Sequence, residues 1–299
     1  MAGLQGIDEK RQISEWLESS KMFARQLLVK TADISENFFK SGDLSVFFSL
    51  LSRFSYLDYR NILLLAAQYP KAIDIAGASV WKSMAPKGSL FLKEEFQGKG
   101  ISLLAPFTEL DKSVSKLIWF TIKTYDISQT KGIKKEAAKS VYLNNKKEHI
   151  DILLKSIRSF IGDEYNISYV VTKTDEHVKT GLPCILKNKV VYIRPKADEL
   201  MQISFFTEYI VKTEVDEPLP KEIIVYLASS IRDSLFDIWN LPKQVSCSPP
   251  YESITDMSAE KQEIFLNKAQ QLVRYIEDRV LFEYRMLAKD RDIIYDDII

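Results

Sequence analysis

Histidine and cysteine are scarce in this chain of 299 residues, which contains two of each. His149 and His177 are far apart and lie in polar surroundings, so we expect both at the surface. Cys184 and Cys247 are also distant from each other, which indicates two unpaired thiols in a reducing compartment. The spacing of these four residues matches no zinc finger or zinc ribbon, and we expect neither a metal nor a cofactor.

Long apolar runs are missing as well. The longest candidate, near residues 62–67, is far shorter than the roughly 20 residues that a membrane span needs. Residues 1–10 contain no apolar core followed by a small-residue cleavage site, so they do not resemble a signal peptide. We therefore expect a cytoplasmic protein with no membrane partner.

The composition is that of an ordinary globular protein, with 46% hydrophobic and 27% charged residues and a formal net charge of zero. The length exceeds the usual size of a single core and predicts two domains. Basic residues outnumber acidic ones before Asn145, and acidic residues outnumber basic ones after it. This asymmetry is compatible with nucleic acid on the first half only.

Apolar spacing and helix-breaking residues predict the elements of the first half. The predicted helices are Asp8–Val29, a short one from Ser35 to Gly42, Asp43–Phe54, and Asp58–Tyr69 before Pro70. Two β-branched and aromatic runs, Ile101–Leu104 and Lys116–Tyr125, are separated by a polar turn at 111–113 and predict an antiparallel hairpin.

Residues 129–145 are rich in Lys, Gly, Asn and Ser and are the best linker candidate, so we predict domains over 1–135 and 146–299. The second half reads as helices and short strands, which makes the fold class α+β. Its predicted elements are a helix at 146–161, a strand at 167–173, a hairpin at 182–194 and helices at 197–212, 221–240 and 258–286.

Aromatic, basic and amide side chains are concentrated at turns and element ends between residues 56 and 130. Aromatic rings stack on bases and lysines contact phosphates, so this segment predicts an interface for a long anionic ligand. Structural roles remain open for Trp81 as a core residue, for Arg60 as an ion-pair partner of Asp58 or Asp74, and for Gln129 as a turn cap. The candidate DNA-binding residues are Tyr59, Arg60, Asn61, Trp81, Lys82, Lys87, Lys99, Lys123 and Gln129.

The order of elements in the second half, a hairpin followed by two helices, is typical of zincin-type metallopeptidases. Such an enzyme needs two histidines four residues apart on one helix with a glutamate between them. Here Glu208 stands at the glutamate position, but Thr207 and Val211 stand at the histidine positions. Neither side chain supplies the missing ligands, so we expect no metal site, no catalytic residues and no peptidase activity.

These patterns resemble one family. The run from Asp58 to Pro70, Ala76-Gly77 with Trp81, the stretch 99–106 and the stretch 125–130 look like the N-terminal domain of ArdC-type antirestriction proteins. The resemblance implies a single-stranded DNA-binding domain followed by a zincin-like metallopeptidase domain. It also implies that Thr207, Val211 and Tyr226 stand where the family has its metal ligands, so the second domain is expected to be degenerate.

The first domain also departs from the family, because Glu94 and Glu95 bring negative charge beside the expected phosphate path. From the resemblance we expect an antirestriction-like accessory protein of a mobile genetic element. Its expected partners are single-stranded DNA and, for the second domain, an unidentified protein. The alternatives are a protein-interaction module that does not bind DNA and a residual hydrolase with an unrecognised site.

Overall fold

The computed structural model describes residues 2–85, 90–111, 114–131, 133, 146–172, 182–215, 219–242 and 250–289. The chain forms two compact units. Unit 1 comprises Met1–Glu136 and Thr255–Glu263, and unit 2 comprises Ala137–Ile254 and Ile264–Ile299. Each unit combines helices with a three-stranded sheet, so the predicted α+β class is confirmed at that level. Within the described ranges, no helix has the length and apolarity that a membrane crossing requires.

Unit 1 places its helices before a long hairpin. Its elements in chain order are α1 (Ala2–Ser41), α2 (Ser45–Leu51), α3 (Tyr59–Gln68), β1 (Ile75–Gly77), α4 (Ala78–Met84), β2 (Ile101–Asp111) and β3 (Val114–Asp126), with short 3-10 helices at Glu94–Phe96 and Ile127–Gln129.

Helix α1 is longer than the sequence predicted. The two helices expected at Asp8–Val29 and from Ser35 are one continuous helix, so the prediction of a break between them was wrong. Neither Gly nor Pro separates them. Ser35, predicted as an N-cap, lies inside the helix, and its hydroxyl donates to Gln262 Oε1 at 3.1 Å. The predicted stop at Gly42 is confirmed, because Gly42 adopts φ 68° after the last turn.

Helix α3 carries the core of unit 1. Asp58 caps it by accepting the Arg60 backbone N–H at 2.9 Å, and the helix ends before Pro70 as the sequence predicted. Its central residues Ile62 to Leu65 are all buried. They form an apolar run on every side of the helix, which indicates that α3 is surrounded by the rest of the unit.

The sheet of unit 1 has the order β1-β3-β2, and all its neighbours are antiparallel. Strands β2 and β3 pair from Ile101 with Thr124 to Asp111 with Val114, so the predicted hairpin is confirmed and is longer than expected. Strand β1 covers only three residues of β3, from Thr124 to Asp126.

Unit 2 follows the predicted order of elements. They are α5 (Lys146–Tyr165), β4 (Ser168–Val171), β5 (Cys184–Lys187), β6 (Val190–Ile193), α6 (Glu199–Glu214), α7 (Lys221–Ile238), α8 (Tyr251–Thr255) and α9 (Ala259–Lys289). The last residue of α8 and the start of α9, up to Glu263, belong to unit 1.

The sheet of unit 2 has the order β4-β6-β5. Strands β5 and β6 form the predicted hairpin, turning through Asn188 and Lys189, which both have positive φ. Strand β4 pairs with β6 in parallel. Cys184 is a buried free thiol, and burial raises its pKa to about 11, which makes it unreactive. Cys247 and His177 lie outside the described residues.

His149 was expected at the surface, and this prediction was wrong. It is buried, with Nε2 at 2.8 Å from the Trp239 carbonyl oxygen and Nδ1 at 3.1 Å from the Tyr284 hydroxyl. Its polar neighbours in sequence point elsewhere because successive helical residues are about 100° apart. Its spacing of three and four residues from the buried Ile152 and Leu153 was the signal for its burial.

Burial lowers the pKa of His149, against the opposing effect of its hydrogen bond to Trp239. The unfolded chain then binds a proton more readily than the folded chain. The stability contributed by the neutral imidazole is therefore fully present above a pH of about 6.5, and it is lost as the pH falls below that value. We predict a lower free energy of unfolding at a pH of about 5 than at about 7.5, measured by urea denaturation.

The matched control is His149→Gln, which keeps a donor and an acceptor but does not titrate in this range. We expect a smaller loss of stability between the two pH values in this variant than in the parent protein. Equal losses in both proteins would contradict the assignment, since the remaining titratable groups are common to both.

Candidate nucleic-acid interface

Tyr59 and Arg60 contact carboxylates within unit 1. Tyr59 is buried and its hydroxyl donates to Glu263 Oε1 at 2.7 Å, and burial followed by this hydrogen bond raises the pKa of Tyr59. Arg60 donates to the same Glu263 oxygen at 2.6 Å, and its guanidinium lies 3.7 Å from Asp58. Of the two ion pairs that were left open for Arg60, the one with Asp58 is therefore present. Two carboxylates compensate the charge of this arginine.

Asn61 is bound to the free edge of β2. Its amide nitrogen donates to the Leu104 carbonyl at 2.8 Å, and its amide oxygen accepts the Leu104 N–H at 2.7 Å. Gln68, two turns later on α3, makes the same pair of bonds to Ser102, both at 3.0 Å. The two amides therefore make, at Ser102 and Leu104, the hydrogen bonds that a neighbouring strand would make with β2.

Trp81 and Gln129 are also used internally. Trp81 is 2% exposed and donates its indole N–H to the Tyr125 carbonyl at 2.8 Å. Gln129 is buried, and its amide oxygen accepts the Asp126 N–H at 2.8 Å. Together with the Asp126 side chain it forms a capping box for the short helix at 127–129. Trp81 is therefore a core residue and Gln129 is a turn cap, which are the structural alternatives left open by the sequence.

Two exposed lysines of the predicted set, Lys82 and Lys123, lie close to a pair of aromatic rings. Phe91 and Tyr125 are half-buried and meet edge to face, with ring centres 5.8 Å apart. The exposed Lys82 places its ammonium 5.8 Å from the centre of the Phe91 ring. The Lys131 N–H donates to the Phe91 carbonyl at 2.8 Å, which puts another exposed lysine beside the same residue.

Gly100 provides the space in which the Tyr125 ring lies. A methyl group built on Gly100 would lie 3.0 Å from Tyr125 Cζ and 3.2 Å from Lys123 Cδ. Tyr125 and Lys123 are two residues apart on β3 and share one face of the sheet. Lys99 precedes Gly100 and is exposed. We call this group the aromatic–lysine patch; its members are Lys82, Phe91, Lys99, Gly100, Lys123, Tyr125 and Lys131.

The patch differs in part from the predicted site. Lys82, Lys99 and Lys123 belong to both, and Lys87 lies outside the described residues. Phe91 and Tyr125 were absent from the predicted set. Two features of the sequence could have indicated Tyr125. The alternation of β3 puts it on the same face as Lys123, and Gly100, just before β2, leaves space for its ring.

Acidic residues also lie near the patch in sequence. Glu94 and Glu95 are exposed on the short helix at 94–96. The Lys93 ammonium donates to the Ser128 carbonyl at 2.7 Å. This lysine therefore binds the backbone of the turn after β3 and does not point freely into solvent. In the described part of the chain, no ion pair is formed by Lys82, Lys99 or Lys123.

In unit 2, Thr207 and Val211 are fully buried on α6, and the buried Thr207 Oγ1 has no hydrogen-bond partner among the described residues. Tyr226 is buried on α7 and stacks on Phe265 with ring centres 6.3 Å apart. Within the described ranges, no three His, Cys, Asp or Glu residues are grouped as a metal site.

Glu208 is held between two cations. One carboxylate oxygen accepts from Arg232 at 2.7 Å, and the other accepts from Lys212 at 3.0 Å. Arg232 is buried on α7 and also donates to Asp233 at 2.8 and 2.9 Å. The Arg232 guanidinium thus places positive charge beside Glu208. It donates directed hydrogen bonds to the carboxylates of both Glu208 and Asp233.

Comparison with known proteins gives a single solved structure. No family model matches the chain, and no curated protein matches it. The chain is similar to the metal-free crystal structure of the antirestriction ArdC protein from the R388 plasmid, with 10% sequence identity and a TM-score of 0.46. The similarity covers 84% of this chain and 96% of that chain. Because the TM-score is below 0.5, no residue role is carried over from that structure.

We predict that Asn61→Leu destabilises unit 1 by about 2 to 4 kcal/mol, because it leaves the buried Leu104 N–H and C=O without partners. The matched control is Gln68→Leu, which removes the same bonds from a half-buried site that water reaches. Its expected cost is about 1 kcal/mol or less. Urea denaturation measures both, and amide exchange in the peptide spanning 101–111 locates the change. Equal costs for the two variants would contradict the role of Asn61.

Proposed function

We propose that unit 1 binds single-stranded DNA through the aromatic–lysine patch, and that the protein is an antirestriction-like accessory factor of a mobile genetic element. The observation that carries the proposal is the placement of the exposed Lys82 and Lys123 close to the paired Phe91 and Tyr125 rings. Aromatic faces accept any base, and lysine ammonium groups contact phosphates without reading the sequence. Binding of this kind is tolerant of sequence and sensitive to salt.

Tyr125 is the residue proposed to stack on a base. Phe91 meets it edge to face, and Gly100 leaves room for it on the sheet, so its ring is fixed before any ligand arrives. A ring that is already ordered loses little conformational freedom on binding. Lys123 on the same strand face, with Lys82 and Lys99, is proposed to follow the phosphate backbone.

The other members of the predicted set are proposed to position this surface. Trp81 donates to the carbonyl of Tyr125, and Gln129 accepts from the N–H of Asp126. Both hydrogen bonds fix the backbone at the end of β3, where Tyr125 lies. Tyr59, Arg60 and Asn61 act through α3, which is bonded to β2 and to Glu263.

We predict that Lys123→Ala and Tyr125→Leu weaken binding of a fluorescent oligonucleotide in distinguishable ways. Each lost phosphate contact lowers the slope of log affinity against log salt by about 0.7. Tyr125→Leu is expected to weaken binding by about 1 to 3 kcal/mol without changing that slope. Fluorescence anisotropy over a salt series, with a strand longer than about 16 nucleotides, measures both quantities.

The matched control is Lys40→Ala, which removes a lysine of α1 whose charge is already paired with Glu36 at 2.6 Å. We expect no change in affinity or slope for this variant. If Lys40→Ala weakens binding as much as Lys123→Ala does, the patch is not the interface. A wild-type protein that does not bind the oligonucleotide at low salt would refute the proposal and favour a protein-interaction role.

For unit 2 we propose a peptidase-like domain without activity that contacts a protein partner. The support is that Glu208, at the position of a catalytic glutamate, is bound to Arg232 and Lys212. Both oxygens of this carboxylate accept hydrogen bonds from cationic side chains, so neither is free to orient a water molecule for attack. Thr207 and Val211 are buried and supply neither an imidazole nor a carboxylate.

We predict that a strong chelator leaves the melting temperature of the protein unchanged, since no bound metal contributes to its folding free energy. Elemental analysis of protein purified without chelators is expected to find no stoichiometric zinc. A melting temperature that falls on chelation and is restored by zinc would contradict the proposal and would support a residual metallohydrolase.

A further inference from the structure

Strand β4 is the outermost strand of the sheet in unit 2, and its residues are exposed. Among the described strands it pairs only with β6, and all four of its residues, Ser168 to Val171, are exposed. Tyr169, Val170 and Val171 are 48%, 49% and 58% exposed. Three consecutive apolar residues at a sheet edge are unusual for a monomer, because an open edge is a template for another strand.

The other sheet edges in the described part of the chain are short, partly bonded to side chains, or flanked by proline and lysine. Strand β2 is bonded to the amides of Asn61 and Gln68 at Leu104 and Ser102 and contains Pro106, and β1 has only three residues before α4 begins. Strand β5 follows Pro183 and ends at Lys187, and proline and lysine are residues that prevent strand addition. Strand β4 contains neither a charged residue nor a proline.

The backbone of β4 offers hydrogen-bonding groups on its outer side. The N–H groups of Ser168 and Thr172 donate to β6, at 3.1 Å to Lys189 and 2.9 Å to Ile193. Successive backbone groups of a strand point to opposite sides, so the N–H and C=O groups of Tyr169 and Val171 point away from β6. Within the described residues, no strand lies on that side.

We infer that β4 pairs with β4 of a second copy of this chain, so that two sheets join across a twofold axis. The register follows from the outward groups. An antiparallel pair centred on Val170 places Tyr169 of each copy opposite Val171 of the other. Both of these pairs exchange two hydrogen bonds, so the register satisfies all the outward N–H and C=O groups of Tyr169 and Val171.

The side chains of this register are self-complementary. Val170 faces Val170 of the second copy, and an aromatic residue faces a β-branched one on either side, which is a favourable cross-strand pair. No like charges meet at the axis. Tyr169 and Val171 pair with the buried Val191 and Ile193 of β6 and so lie on the core face of the sheet, yet about half of each remains in solvent. A second sheet edge would cover them.

The first test is the mass of the full-length protein in solution. An interface of one short strand pair is at the small end of the range for specific contacts, so we expect a dimer that dissociates at micromolar concentration. Light scattering coupled to size exclusion over about 1 to 100 µM measures it. Val170→Lys places two ammonium groups at the axis and is expected to give a monomer throughout. Ile122→Lys, on the similarly exposed Ile122 of β3, is the control and is expected to leave the dimer unchanged.

The second test reports the register and does not depend on the stability of the lysine variant. In a Cys247→Ser background, Val170→Cys places the two thiols at a non-hydrogen-bonded pair, where the Cα atoms are about 4.5 Å apart and a disulfide fits. Val171→Cys faces Tyr169 and not itself. We expect mild oxidation to cross-link the first variant and not the second, with non-reducing electrophoresis as the readout. Cys184 is buried and unreactive in both.

Three results would overturn the inference. A wild-type protein that is monomeric over the whole concentration range would show that β4 does not pair with a second copy. It would favour pairing of β4 with a strand of a different protein. A dimer that survives Val170→Lys is formed elsewhere on the molecule. Equal cross-linking of the two cysteine variants contradicts the register. None of these results bears on oligonucleotide binding by unit 1.

Discussion

A single buried carboxylate fixes the end of β3, and the rest of unit 1 depends on it. Asp126 is fully buried and accepts four hydrogen bonds, from the N–H groups of Ile73, Asp74 and Ser128 and from the Ser128 hydroxyl, at 2.5 to 2.9 Å. A buried charge is stable only when its lone pairs are satisfied in this way. The loop before β1 and the turn after β3 are thereby tied to one residue. Tyr125, which precedes Asp126, takes its place on the sheet from the same anchor.

The sequence predicted elements where local chemistry decides the structure. Asp58 and Pro70 delimit α3, and Gly42 ends α1, because an N-cap side chain, a missing N–H and a positive φ act within a few residues. The partners of polar side chains were not predictable in the same way. Asn61 at the start of an apolar helix reads equally as a ligand contact or as a core residue. Its bonds to Leu104 depend on a strand 43 positions away, and nothing near Asn61 specifies that contact.

The surroundings of Glu208 in unit 2 illustrate a different limit. The prediction that Thr207 and Val211 bind no metal follows from side-chain chemistry alone. The sequence did not identify Arg232, which lies 24 positions after Glu208 and reaches it from the next helix. Arg232 is a buried cation between Glu208 and Asp233. Removing either partner of such a pair leaves a desolvated charge, so this contact constrains α6 and α7 more strongly than an exposed ion pair would.

The net charge of zero conceals how charge is used in unit 1. Asp58, Asp126 and Glu263 are bound to internal donors, so their negative charge is compensated close by. Lys82, Lys99 and Lys123 are exposed and, among the described residues, form no ion pair. A carboxylate whose charge is compensated by a nearby donor contributes little electrostatic potential at the surface. Equal numbers of acidic and basic residues can therefore still give a surface potential that is not zero. The exposed lysines of the aromatic–lysine patch therefore contribute positive potential at the surface, while the exposed Glu94 and Glu95, which are close to the patch in sequence, contribute potential of the opposite sign.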